Sequence, residues 1–172
     1  GVRLCVTDWG GDGSAVLFAH PTGFLGAVWR PVIDQMRAAG FSGRVLTFDQ
    51  RGHGLSSKPD QGYDWSNFVD DVRELIAVLE LRNFIGVGHS AGATTLACAS
   101  ARDPGRAKGL VLIDPILIDP ANSQRLFAPT FATLIDYDVN DALSPDIVTG
   151  MYFSSDGGAT WQRRQVISEE FE

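Results

Sequence analysis

An apolar strand that runs into a glycine-bracketed turn and straight out into a helix leaves a chain few options. Residues 84 to 99 have this pattern. Phe84-Ile85-Gly86-Val87 is a short apolar run, Gly88-His89-Ser90-Ala91-Gly92 follows it, and Ala93-Thr94-Thr95-Leu96-Ala97-Cys98-Ala99 is rich in small residues. Glycines on both sides let the strand and the helix approach closely, and the serine sits at the apex of a strained turn. In this context G-x-S-x-G reads as a nucleophile elbow. The competing reading is an ordinary strand-to-helix turn.

The rest of the chain supplies similar units. Val2 to Val6 and Ala15 to Ala19 read as an opening strand and a central one, joined by the turn-rich Trp9-Gly10-Gly11-Asp12-Gly13. After the loop His20-Pro21-Thr22-Gly23-Phe24, the spacing of Trp29, Val32, Ile33 and Met36 predicts a helix, with Pro31 in its first turn and Gly40 at its end. Arg44 to Phe48 is a strand that enters the loop Asp49-Gln50-Arg51-Gly52-His53-Gly54. Phe68, Val69, Val72, Leu75, Ile76 and Leu79 mark an amphipathic helix, with Ser66 as its expected cap and Asp70 and Asp71 near its positive end. A last strand covers Leu110 to Ile113.

These apolar runs are continuous rather than alternating, as in strands buried on both faces. Strands alternating with amphipathic helices imply a mostly parallel sheet with helices on both faces, an α/β fold. Functional loops in such sheets lie beyond the carboxyl ends of the strands, so those at His20, Asp49, Ser90 and Asp114 converge. Residues 1 to 118 form the expected core. From 119 to 172 the pattern changes: Leu126, Phe127, Phe131, Leu134, Ile135 and Leu143 among prolines and polar residues predict short helices, a cap or lid. Asp156-Gly157, within Ser154-Ser155-Asp156-Gly157-Gly158, reads as a turn that can also join two short strands.

Composition excludes some classes. With 44% hydrophobic and 20% charged residues over 172 positions, the chain can bury one sizeable core and is not expected to be disordered. A net charge of −7 argues against a nucleic-acid or anionic-membrane partner. No apolar run reaches the length of a membrane span, so a cytoplasmic protein is expected. Cys5 and Cys98 make no disulfide framework, and no Cys/His cluster has metal-ligand spacing. Neither a cofactor nor a metal is expected.

Four segments, His20-Pro21-Thr22-Gly23-Phe24, Asp49 to Gly54 with Ser56, Gly88 to Gly92, and Leu112-Ile113-Asp114-Pro115, together resemble the α/β-hydrolase superfamily, specifically its capped serine hydrolases. The resemblance implies that Ser90 is the nucleophile and that the N–H of Ala91 is one oxyanion donor. Thr22 would supply the second, with Gly23 or Phe24 as alternatives. Two fixed N–H groups can stabilise the charge that develops on a carbonyl oxygen without reorganising. Phe24 and Ile116 flank the expected site and either line an apolar pocket or pack in the core.

The family orders its residues as serine, then acid, then histidine. All three histidines here, His20, His53 and His89, precede Ser90. His20 and His53 read as residues that hold their loops, and His89 as one facing away from the serine. The implied chain is therefore the N-terminal part of a longer hydrolase, its later strands missing and its Leu110 to Ile113 edge open. Asp114 is either the acid or part of a turn that ends a strand, and the turn is favoured. Asp49 and Arg51 read as anchors of their loop, and Cys98 as a small buried residue. The implied activity is hydrolysis of an ester or related carbonyl bond of a small, largely apolar substrate through an acyl-enzyme. Alternatives are a non-catalytic ligand-binding member, a carbon–carbon bond hydrolase and a cofactor-free peroxidase.

Overall fold

A computed structural model describes residues 1–116 and, beyond them, the strands at 118–119, 122–130, 133–136, 151–154 and 162–164. The strands are β1 (Cys5–Asp8), β2 (Val16–Ala19), β3 (Val45–Asp49), β4 (Phe84–His89) and β5 (Ala107–Ile113). They are followed by β6 (Ile118–Asp119), β7 (Asn122–Thr130), β8 (Thr133–Asp136), β9 (Met151–Ser154) and β10 (Gln162–Arg164). The helices are α1 (Arg30–Ala38), α2 (Trp65–Val78) and α3 (Ala91–Arg102), and a short 3-10 turn, Gly26–Trp29, precedes α1. The main sheet runs β1-β3-β2-β4-β5-β9-β10. Its centre, β3-β2-β4-β5, is parallel, and β1, β9 and β10 pair antiparallel at the two sides.

Every residue of β2 and β3 is buried, Thr47 and Asp49 of β3 included, as in strands covered on both faces. On one face Leu17, Leu46 and Phe48 meet Val72 and Ile76 of α2 and Leu96 of α3. On the other, Val16, Phe18 and Val45 meet Trp29 and Ile33, with the Phe18 and Trp29 rings 4.9 Å apart. Burying a side chain of this size contributes about 1.5–3 kcal/mol. The helices on both faces are what fix the loops at the carboxyl ends of the strands.

Three local expectations are corrected. The opening strand starts at Cys5 rather than Val2, because Arg3 and Cys5 donate their N–H groups to the Ser57 and Ser56 hydroxyls. Helix α2 is capped by Asp64, whose carboxylate accepts the Asn67 N–H, so Ser66 lies inside the first turn and donates to Asp64. Residues 122–130 and 133–136 are strands rather than short helices, paired as Phe127 to Asp136 and Ala128 to Ile135. Pro129 cannot continue a helix, and Thr130, Thr133 and Ile135 are β-branched.

The expected open edge is also overturned. Leu110, Val111 and Leu112 of β5 pair with Ser154, Phe153 and Tyr152 of β9. Strands β9 and β10 then pair with each other, while Asp156-Gly157 between them lies outside the described residues.

Candidate active site

Ser90 sits where β4 hands over to α3, at φ 51° and ψ −120°. That is backbone space a glycine enters freely and a serine enters at a cost of about 1–3 kcal/mol. Its neighbours explain how the turn closes. A Cβ on Gly88 would stand 2.5 Å from the Ala93 backbone, and one on Gly92 would stand 2.3 Å from the Ala19 carbonyl oxygen. Both positions demand glycine because of what packs against them. The Ser90 N–H donates to the Ile113 carbonyl at 2.9 Å, which ties the elbow to the end of β5. Ala91 opens α3, where N–H groups have no intrahelical partner and the helix dipole is positive.

The loop after β2 faces this turn. Of its three N–H groups, that of Gly23 donates to His53 Nε2 at 3.1 Å and that of Phe24 to the Pro21 carbonyl at 3.3 Å. The Thr22 N–H has no partner among the described residues. Of the three candidates, Thr22 is thus the one with a free donor.

Two histidines hold the loop in place. His20 is fully buried; its Nδ1 donates to the Pro21 carbonyl at 2.8 Å, and its Nε2 accepts the Gln50 N–H at 3.0 Å. His53 repeats the arrangement, with Nδ1 donating to the Arg51 carbonyl at 2.9 Å and Nε2 accepting from Gly23. The two rings lie edge to face, 5.0 Å between centroids. Burial holds the His20 pKa below the usual imidazole value of 6.5, assisted by the neighbouring His53 and opposed by the Pro21 contact and Asp49. Each Nε2 is already occupied by a backbone donor.

Asp49 and Arg51 act as anchors, though on different partners. Asp49 accepts from the Gly26 N–H at 2.7 Å and the Leu55 N–H at 2.8 Å. Arg51 forms a bidentate pair with Asp71 of α2, both contacts at 2.6 Å, and also donates to the Gly62 carbonyl. The Asp71 hydrogen bonds raise the Arg51 pKa, so its charge is fixed. Cys98 is half-buried, and burial raises its thiol pKa, in keeping with an inert packing residue.

A cleft of about 460 Å³ lies over Ser90. Thr22, Phe24, Val28, Trp29 and Val32 line it together with Asp114. Val32 was legible only as a helix-spacing residue, and Val28 carried no signal; their partial exposure, 42% and 39%, is what turns them into cleft wall. Asp114 lies in the left-handed region at φ 43°, directly after β5. The chain does turn there, and the carboxylate residue also shares the cleft with Ser90. Phe24 lines the cleft. Ile116 does not; its carbonyl instead accepts from the Thr94 hydroxyl of α3. His89, expected to face away from the serine, lines the same cleft. Among the described residues no cluster of His, Cys, Asp or Glu could hold a metal ion. No helix among them is long and apolar enough to cross a membrane.

The chain is 39% identical to a 2-(acetamidomethylene)succinate hydrolase of Mesorhizobium japonicum, over 60% of this chain and 36% of that protein. It is 36% identical to a non-heme chloroperoxidase of Kitasatospora aureofaciens, over 67% of this chain and 42% of that one. Among solved structures, a bromoperoxidase from Bacillus anthracis superposes with a TM-score of 0.59 at 32% identity, covering 64% of this chain and 40% of that chain. The chain therefore spans less than half the length of these relatives. The family model described as alpha/beta hydrolase family matches residues 16–169. Fold, elbow and sequence agree, and the chain belongs to the alpha/beta hydrolase family.

Proposed function

We propose that Ser90 is the nucleophile of a hydrolase that opens an ester, or a related carbonyl bond, of a small and largely apolar substrate. The observation that carries this reading is the backbone of Ser90, a serine kept where a glycine would be unstrained. Such strain persists where function requires it. Ser90 Oγ attacks the carbonyl carbon, and the N–H groups of Thr22 and Ala91 hold the oxyanion. The bond to the leaving group then breaks, and that group departs with the proton taken from Oγ. Water attacks the acyl-enzyme in the same way and releases the acid. Phe24, Val28, Trp29 and Val32 supply the apolar wall that the acyl group needs.

A serine needs a base to take its proton. His20 and His53 are poor choices, since each would have to abandon a backbone N–H to accept one. The reading assigns both to positioning and leaves the base to another group. Asp114, which shares the cleft with Ser90, is the carboxylate this reading assigns to orienting such a base. A second reading, peroxidase chemistry on the same serine, draws support from the chloroperoxidase and bromoperoxidase relatives.

The experiment is labelling with a fluorophosphonate. The hydrolase reading expects covalent labelling at Ser90 that disappears in Ser90→Ala. A protein that labels equally in both, or in neither, would show a non-catalytic fold member. Turnover of peroxide and halide without ester hydrolysis would select the second reading.

A further inference from the structure

Beside the oxyanion loop is a second, smaller cleft of about 300 Å³, which the hydrolase reading leaves unused. Gln50, His53, Tyr63, Trp65 and Phe68 line it together with Thr22 and Ala91. Thr22 lines both clefts, and the adjacent residues Ser90 and Ala91 line one each. The two clefts thus meet at the proposed oxyanion donors.

Gln50 gives this cleft its chemistry. It is only 3% exposed, yet its Oε1 has no hydrogen-bond partner among the described residues. The orientation of the amide is fixed, because Nε2 donates to the His20 carbonyl at 2.6 Å and a carbonyl can only accept. A buried acceptor without a donor is costly to leave so, and a ligand N–H or O–H would relieve it. The surrounding rings offer flat faces: Tyr63 and Trp65 lie 6.4 Å and 6.2 Å from Phe68 between centroids. Phe68 is itself held by the Arg51 guanidinium, 5.8 Å from its centroid. The Arg51 charge is neutralised by Asp71, and both His53 nitrogens are engaged. This set suits a neutral, planar group carrying one hydrogen-bond donor.

We propose that the smaller cleft is a second substrate subsite, which takes a planar substituent of the scissile carbonyl that donates an N–H or O–H to Gln50 Oε1. Its place in catalysis rests on the hydrolase reading of Ser90; its binding chemistry does not. An amide or aryl alcohol portion fits this cleft, while the apolar portion of the same substrate occupies the cleft over Ser90.

The test is equilibrium binding of benzamide against N,N-dimethylbenzamide, by calorimetry or ligand-observed NMR, on the protein and on its Ser90→Ala variant. Benzamide should bind at least tenfold more tightly to both. Trp65→Ala and Gln50→Met should each weaken benzamide at least fivefold, and Gln50→Met should abolish the preference between the two amides. Equal affinities, as expected if only a water sits at Gln50, would overturn the subsite. So would unchanged benzamide binding in a folded Trp65→Ala protein. Fluorophosphonate labelling separates the two proposals. A labelled Ser90 without amide discrimination removes the subsite alone, and discrimination without labelling removes the hydrolase reading alone.

Discussion

The backbone N–H of Gln50 donates to Nε2 of His20 at 3.0 Å, across 30 residues of sequence, and so pins the loop after β3 to the loop after β2. Because that Nε2 must stay unprotonated, the bond is also a statement about pH. Burial depresses the folded-state pKa of His20 below 6.5, whereas in the unfolded chain it titrates near the ordinary value. The unfolded state therefore binds the proton first as pH falls, and stability contributed by neutral His20 is full above about 6.5 and declines below it. Urea unfolding from pH 8 to pH 5 should show this decline, reduced in His20→Asn. An equal slope in the two proteins would mean that His20 does not carry it.

Replacing His20 should also cost stability at neutral pH. His20→Ala leaves the Gln50 N–H and the Pro21 carbonyl without their partner in a buried setting, a loss of about 1–3 kcal/mol. The oxyanion loop loses its anchor at the same time. Chemical denaturation measures the first effect, and the rate of fluorophosphonate labelling at Ser90 the second.

The pair between Arg51 and Asp71 makes a sharper prediction. Their side chains are only 7% and 12% exposed, with a contact of 2.6 Å. Removing one member strands the other charge in a poorly solvated place, so Asp71→Ala should destabilise by about 3–5 kcal/mol. Removing both, as in Arg51→Met with Asp71→Leu, should recover most of that. A double-mutant cycle by urea unfolding checks it, and additive losses would refute the coupling. By contrast, the exposed contacts of Arg73 and Arg102 with Asp70 should be worth under about 1 kcal/mol each.

These contacts mark where sequence reading worked and where it stopped. The parallel core was legible because β2, β3 and β4 are short, largely apolar runs, and Gly88 and Gly92 bracket the serine of the turn that follows β4. The partner of Arg51 was not. Asp71 looked like a residue set at the positive end of α2, and only the packing of that helix against the loop brings the two together. The second cleft was hidden for a similar reason. Tyr63 precedes the Asp64 cap and so carries no periodic signal, while Trp65 falls at the spacing of the α2 apolar stripe and by that spacing alone reads as one more packing residue. The strands at 122–130 and 133–136 were not legible, because scattered apolar residues among prolines and polar residues fit short helices as well as strands, and only Pro129 and the β-branched residues near it favour the strand.

The elbow itself offers the most direct test of strain held for function. Ser90 occupies φ 51° and ψ −120°, backbone space that favours glycine. Ser90→Gly should relieve about 1–3 kcal/mol of strain, set against about 0.5–1 kcal/mol of added chain entropy in the unfolded state. The net expectation is a gain near 1 kcal/mol together with complete loss of labelling. Ser90→Ala should lose labelling without that gain, because alanine keeps the Cβ and the same strain. A thermal or urea midpoint that rises for glycine but not for alanine would tie the strain to the backbone rather than to the hydroxyl. If both variants shift alike, the geometry at Ser90 costs the protein nothing, and the conformational argument for a selected nucleophile fails with it.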